Sequence, residues 1–155
     1  MRAVIVVDMQ ENFTHKKNPY LVESVIKSQK EAIFSEIKKD SALVFVCYSG
    51  HGNILEELKK DIPCRGSIIK KRYDSAFTEG KLDAFLDKRN IDELVMMGQN
   101  SNACVMDSVE DALEMGYHVE IYPNTTMGTN EATHNHALMR YNELCVLVPS
   151  PSYNF

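Results

Sequence analysis

Short apolar runs rich in β-branched residues alternate along the chain with longer segments of helical periodicity. The runs cover residues 3–7, 42–47, 67–70, 94–97, 118–122 and 144–148, and the helical patterns cover residues 19–39, 54–60, 82–86, 103–115 and 131–141. The first run is apolar throughout, which is typical of a strand buried on both faces of a parallel sheet. Strands and helices that alternate in this way are joined by right-handed crossovers. The sequence therefore predicts an α/β fold, a three-layer α-β-α, Rossmann-like arrangement around a doubly wound, mostly parallel sheet.

Length and charge narrow the class of protein further. The chain has 155 residues, which fits one domain of about 150 residues. Seventeen Lys and Arg residues against 22 Asp and Glu residues give a formal net charge of −5, which argues against general binding to nucleic acids or anionic membranes. The run at residues 3–7 is far shorter than the ~18 apolar residues of a membrane span. We therefore expect a cytoplasmic protein that binds neither nucleic acid nor membrane.

Three polar residues lie where predicted strands end. Asp8 follows the first strand, Lys71 ends the third, and Cys104 lies in the turn from the fourth strand into a helix. Ligands of open parallel sheets bind beyond this edge, so we expect the three side chains to converge there. A helix N-terminus and a nearby ammonium lower the pKa of a thiol, which predicts a reactive thiolate at Cys104. The carboxylate of Asp8 would then act as a proton shuttle.

Each of these residues also has a purely structural interpretation. An Asp after a strand is often a turn residue, and a lone Cys is often a small buried side chain. Lys71 belongs to a run of three basic residues, 70–72, and could be a solvated charge. Their combination at one sheet edge favours the functional interpretation.

Three segments resemble the isochorismatase-like cysteine hydrolases, a family that includes nicotinamidases and N-carbamoylsarcosine amidohydrolases. Residues 6–13, VVDMQENF, look like the family's V-D-M-Q-x-x-F start. Residues 71–77, KRYDSAF, are similar to its K-x-R-Y-S-A-F segment, and residues 98–105, GQNSNACV, to its G-x-x-T-N-x-C-V segment. The resemblance implies that residues 1–155 form one isochorismatase-like hydrolase domain.

The same resemblance implies an activity. It predicts a hydrolase that cleaves a carbon–nitrogen bond of a small amide, carbamoyl or ureido compound through a thioester on Cys104. Asp8 would take the thiol proton, and Lys71 would hold the pair in place. A cis peptide between Gln99 and Asn100 would aim the backbone N–H groups of Asn100 and Cys104 at the oxyanion.

The sequence departs from the family pattern at several positions. Lys70 precedes Lys71, and we prefer Lys71 because its spacing to residues 75–77 matches the family segment, with Lys70 as the fallback. Ser101 replaces the family's Thr. Metal-binding nicotinamidases carry D-x-H after the second strand, whereas His51 follows Ser49 and Gly50. We therefore predict no metal, and the absence of glycine-rich phosphate-binding motifs predicts no other cofactor.

Aromatic side chains near these segments are candidates for the substrate pocket. Phe13 lies in the first loop, and Tyr73 and Phe77 follow Lys71, so the three could form an apolar wall around a small flat substrate. Gln10 and Ser101 are predicted to hold the catalytic residues in position without contacting the substrate themselves.

Two other functions remain open. One is vinyl-ether hydrolysis of the isochorismatase type, for which active family members can lack the cysteine. The other is a non-catalytic homologue that binds a small molecule. Family members are frequently dimers or tetramers, so we expect a homo-oligomer acting on a small-molecule substrate. The tail at residues 149–155 ends in aromatic residues that either dock on a partner subunit or are disordered.

Overall fold

The computed structural model describes residues 1–14 and 19–150, so most of the aromatic tail, residues 151–155, lies outside the described part. The strands are β1 (Arg2–Val7), β2 (Ala42–Tyr48), β3 (Ser67–Lys71), β4 (Glu93–Gln99), β5 (His118–Glu120) and β6 (Thr126–Met127). The helices are α1 (Glu11–Thr14), α2 (Pro19–Ile37), α3 (Glu56–Lys59), α4 (Lys81–Lys88), α5 (Cys104–Glu114) and α6 (Glu131–Glu143). None of the helices described is both long and apolar enough to cross a membrane.

The strands form one parallel sheet in the order β3-β2-β1-β4-β5, and β6 pairs with the end of β4. The chain starts in the middle of the sheet, winds to one edge and then returns to build the other edge. This topology confirms the predicted doubly wound sheet. The winding reverses between β1 and β4, and the crevice beyond the ends of two such strands is where an open α/β sheet binds its ligand.

Helices cover both faces of the sheet, which confirms the three-layer prediction. Val4 and Val6 of β1 pack on one face with apolar residues of α2 and α3. Ala3, Ile5 and Val7 pack on the other face with residues of α4, α5 and α6. β1 is thus buried on both sides, as its unbroken apolar run indicates.

The predicted strand at residues 144–148 is wrong. The chain turns directly after α6, with Cys145 at a φ of +60°, and then makes only an isolated bridge between Leu147 and Ile121. β5 has only three residues, so a strand added beside it finds little ladder to extend. β6, which the sequence pattern does not predict, adds two residues on β4 instead.

Gly98 allows β1 and β4 to approach closely at the end that carries the candidate site. Its φ is +143°, and a Cβ atom at this position would lie 2.0 Å from the carbonyl oxygen of Val7. No other residue fits there without moving one of the two backbones. The close approach sets Asp8, one residue after Val7, beside the loop that follows β4.

Candidate active site

Asp8 leaves the sheet through a left-handed turn. Its φ is +56°, a conformation that Asp adopts more readily than most residues. Its backbone N–H still donates to the carbonyl oxygen of Val46 at 2.9 Å, so the residue stays attached to β2. The side chain is fully buried, with an exposed fraction of 0%. The sequence therefore places a carboxyl group inside the crevice between β1 and β4.

Lys71 is the cation that faces this carboxylate. Its Nζ lies 3.2 Å from Oδ2 of Asp8 and donates to the backbone oxygens of Tyr73 and Asp74 at 3.0 and 2.9 Å. The same nitrogen lies 4.2 Å from the centre of the Tyr48 ring. Lys71 is only 2% exposed, so these contacts fix the ammonium in one position.

Lys70 lies on the other face of β3, since neighbouring side chains of a strand point in opposite directions. It is exposed and lines a cavity of about 350 Å³ together with Cys47 and Ile68. Neither Asp8, Lys71 nor Cys104 lines this cavity. The structure thus brings Lys71, and not Lys70, to Asp8.

Cys104 begins α5 and is 4% exposed. The pKa of its thiol is raised to about 12: burial is the largest cause, and the charge of Asp8 raises the pKa by more than the charge of Lys71 lowers it. The lowered pKa that the sequence predicts is therefore wrong. A helix N-terminus and one ammonium do not outweigh desolvation and an adjacent carboxylate.

The pKa of Asp8 is raised as well. Burial is the main cause, and the charge of Lys71 lowers the pKa in part. Oδ2 faces Lys71, whereas Oδ1 is buried without a partner in the hydrogen-bond geometry of the described residues. Lys71 thus binds one carboxylate oxygen of Asp8, and the other oxygen is available to accept the proton of the Cys104 thiol.

The loop between β4 and α5 contains no cis peptide, and neither does the rest of the described chain, so the predicted cis bond between Gln99 and Asn100 is wrong. Asn100 instead has a φ of +67°, a left-handed conformation that Asn tolerates. The N–H of Cys104 opens the helix and has no acceptor within it.

Ser101 is the anchor of this loop. Its N–H donates to the carbonyl oxygen of Met127 at 3.0 Å, its Oγ lies 2.9 Å from Nδ1 of His134, and its carbonyl accepts from the hydroxyl of Tyr141. Burial lowers the pKa of His134, which keeps the ring neutral near pH 7. The sequence does not reveal these partners, because His134 and Tyr141 reach Ser101 only through the packing of α6.

Gln10 fixes the loop that follows β1. Its Nε2 donates to the carbonyl oxygens of Tyr48 and Gly52, both at 2.9 Å, and its Oε1 accepts from the N–H of Tyr48 at 2.7 Å. These bonds tie the residues after Asp8 to the end of β2.

The three aromatic residues predicted to line the pocket lie in different surroundings. The ring of Phe13 stacks on His51 with 4.4 Å between centroids, and the ring of Tyr48 meets His51 edge-on at 5.0 Å. Tyr73 is 52% exposed, and it reaches Lys71 through its carbonyl oxygen rather than its ring. Phe77 is 6% exposed and belongs to the core between the sheet and α4–α6. We therefore assign Phe77 to packing.

Asp74 is not among the site residues that the sequence predicts. Its Oδ1 lies 3.9 Å from Sγ of Cys104. The sequence does contain a signal for Asp74. The family segment K-x-R-Y-S-A-F has Tyr at its fourth position, whereas residues 71–77 of this chain have Asp74 there. Among the described residues, no group of three or more His, Cys, Asp or Glu side chains is placed to hold a metal ion.

Comparison with known proteins identifies the family of the chain. Residues 2–150 match the isochorismatase domain, so the chain belongs to the isochorismatase family, which confirms the predicted resemblance. It is similar to nicotinamidase 3 of Arabidopsis thaliana, with 21% identity over 155 residues that cover 88% of this chain and 78% of that protein. It also resembles the N-carbamoylsarcosine amidase of an Arthrobacter species, with 38% identity over 61 residues, 39% of this chain and 23% of that protein.

A solved structure shows the same fold. The isochorismatase-like hydrolase of Alkaliphilus metalliredigens superposes with a TM-score of 0.82 at 25% sequence identity. The superposition covers 96% of this chain and 94% of that protein. The parallel sheet and its flanking helices are therefore those of isochorismatase-like proteins.

Proposed function

We propose that this chain is a cysteine hydrolase that cleaves a carbon–nitrogen bond of a small amide, carbamoyl or ureido compound through a thioester. The buried contact between Asp8 and Lys71 beside the thiol of Cys104 carries the proposal. Membership of the isochorismatase family, together with relatives named nicotinamidase and N-carbamoylsarcosine amidase, supports hydrolysis of such bonds.

The first step moves a proton from Cys104 to Asp8. With a thiol pKa of about 12, the resting sulfur carries its proton at neutral pH. Oδ1 of Asp8 accepts this proton as the sulfur attacks the carbonyl carbon of the substrate. The raised pKa of Asp8 helps this transfer, since a more basic carboxylate is a better proton acceptor. Lys71 keeps the carboxylate in place throughout.

The carbonyl oxygen then becomes an oxyanion in a tetrahedral intermediate. The backbone N–H groups of Asn100 and Cys104 are the donors we assign to it, and such donors stabilise charge that develops only in the transition state. The carbon–nitrogen bond breaks as the nitrogen takes the proton from Asp8 and leaves. Water gives a proton to Asp8, attacks the thioester and releases the acid, and the proton returns to the sulfur.

Intact-protein mass spectrometry tests this chemistry directly. Brief exposure to a panel of small amides, carbamates and ureido compounds should add an acyl mass to the wild type, and peptide mapping should place it on Cys104. Cys104→Ser should show neither thioester nor turnover. Cys64→Ser, which changes an exposed cysteine, should keep both and serves as the control.

The remaining candidate functions give different results. Turnover that survives Cys104→Ala contradicts a thioester and favours the vinyl-ether hydrolysis considered above. Saturable binding of a small molecule with no adduct and no turnover contradicts an enzyme and favours a ligand-binding homologue.

A further inference from the structure

We propose that Asp74 makes this site selective for substrates that carry a positive charge close to the scissile carbonyl. The inference rests on the proposed function, since it assigns a substrate class to the same nucleophile. Asp74 would be a specificity-determining residue and take no part in bond making or breaking.

The position of Asp74 relative to the nucleophile is the first support. Its Oδ1 lies 3.9 Å from Sγ of Cys104, and the residue is exposed, whereas Asp8, Lys71 and Cys104 are all buried. Asp74 is therefore an exposed acidic group directly beside the buried sulfur. The backbone of Asp74 is held in place, because Nζ of Lys71 donates to its carbonyl oxygen at 2.9 Å.

The charge of Asp74 is not neutralised by any ion pair within the described residues. The ammonium of Lys71 is bound to Asp8 and to two backbone oxygens. Arg72, a neighbouring cation, pairs with Glu79 at 3.2 Å. Among residues 1–14 and 19–150, the ion pairs thus leave the negative charge of Asp74 beside the sulfur uncompensated.

Nearby groups respond to this charge. The pKa of Asp107, which lies in the first turn of α5, is raised by burial and then by the charge of Asp74. The pKa of the Tyr48 hydroxyl is raised, with desolvation as the main cause and the charge of Asp74 as the next. Asp74 also raises the pKa of the Cys104 thiol, after burial and Asp8. An uncompensated carboxylate therefore opposes thiolate formation.

A cationic substrate removes this disadvantage. A positive group placed next to Asp74 offsets its charge, so the thiol loses its proton more easily once the substrate is bound. An anionic substrate meets repulsion instead. Charges about 4 Å apart near a protein surface interact strongly enough to change a rate by about tenfold or more. The matching substrate class is an amide, carbamoyl or ureido compound that bears an amine or another cation.

Charge-matched thiol reagents test the inference without a known substrate. The rate of modification of Cys104 in the full chain is followed by peptide mass spectrometry with a cationic, an anionic and a neutral methanethiosulfonate. The cationic-to-anionic rate ratio cancels the intrinsic reactivity of the thiol. Asp74→Asn should lower this ratio about tenfold. Asp92→Asn, at the opposite end of the sheet and paired with the N-terminal amine, should leave the ratio unchanged.

Salt gives a second measurement that does not depend on a variant. The wild-type ratio should fall towards the ratio that the same two reagents give with a small free thiol as sodium chloride rises, since the Debye length shrinks from about 10 Å at 0.1 M to about 3 Å at 1 M. A ratio that salt does not change, or one that Asp74→Asn leaves unaltered while Cys104 still reacts, overturns the charge preference and leaves the proposed hydrolase standing. If the panel of amides, carbamates and ureido compounds gives neither an acyl adduct on Cys104 nor turnover, the proposed hydrolase fails and this inference fails with it.

Discussion

Lys70 and Lys71 show how much one position along a strand changes the surroundings of a side chain. Lys71 points into the crevice between strands and bonds Asp8, whereas Lys70 points to the opposite face and is exposed. Both are lysines, so the pair offers a matched comparison between a lysine that touches the carboxylate and one that does not.

Replacing Lys71 should move the pH dependence of the reaction. The charge of Lys71 lowers the pKa of Asp8, so Lys71→Met raises that pKa further. Asp8 must be ionised to accept the thiol proton, and activity is therefore lost as the pH falls through its pKa. The acid limb of kcat/KM should shift to higher pH in Lys71→Met. The measurement is kcat/KM against pH with any substrate found by the adduct screen.

Lys70→Met is the control and should leave the acid limb in place. An acid limb that moves in Lys70→Met but not in Lys71→Met would assign the lysine role to the other residue. An acid limb that neither variant moves would mean that ionisation of Asp8 does not set the acid limb.

At the scale of the elements, the site depends on how closely β1 and β4 pack. Gly98 accepts a φ of +143° and leaves room for the carbonyl oxygen of Val7, which a Cβ atom would meet at 2.0 Å. Gly116, in the turn after α5, also has a positive φ, +92°, but a Cβ atom there meets nothing within 4 Å. The two glycines separate the effect of crowding from the effect of backbone conformation.

Gly98→Ala should destabilise the fold far more than Gly116→Ala. At Gly116 only the left-handed conformation opposes alanine, which costs about 1 kcal/mol. At Gly98 the added methyl meets backbone that belongs to the central strand pair, so we expect a loss of about 4 kcal/mol or more. Urea unfolding followed by far-UV circular dichroism measures both. Equal losses would contradict the close approach of β1 and β4.

The predictable parts of the fold and site are those that local pattern determines. The unbroken apolar run of β1 indicates burial on both faces, and parallel strands bring their carboxyl ends to one edge, so the positions of Asp8, Lys71 and Cys104 follow from the order of elements. The apolar run at residues 144–148 does not form a strand, because β5 offers only three residues to pair with.

The unpredicted parts depend on contacts across the fold. The pKa of Cys104 follows from how deeply α5 is buried and from the distance to Asp8, neither of which has a local pattern. The bonds of His134 and Tyr141 to Ser101 depend on where α6 packs. Asn100 turns the loop in a left-handed conformation, and a single residue type does not distinguish this from the cis bond that the resemblance implies.

At the scale of the whole molecule, the homo-oligomer stays a prediction. β3 is the edge strand at one end of the sheet, and Ile68 on it is a largely exposed apolar side chain. An edge strand of this kind is a common place for another chain to associate. Sedimentation velocity gives the mass in solution.

The four cysteines should divide into two pairs by reactivity. All four are free, Cys64 and Cys145 are exposed, and Cys47 and Cys104 are buried. Burial raises the pKa of Cys47 to about 11 and that of Cys104 to about 12, so both lack thiolate at neutral pH. A disulfide reagent such as Ellman's, which reacts with thiolates, should therefore titrate two thiols quickly in the native protein and all four in urea.

Site-specific variants and a reductant check this assignment. Cys64→Ser and Cys145→Ser should each remove one fast thiol, while Cys47→Ser should remove a slow one. A reductant should not change the urea midpoint, because no disulfide holds the fold. Fewer than four thiols in urea would contradict the free state of the cysteines. A fast reaction at Cys104 would mean that its thiol is ionised at rest, and that Asp8 does not need to take its proton when the substrate arrives.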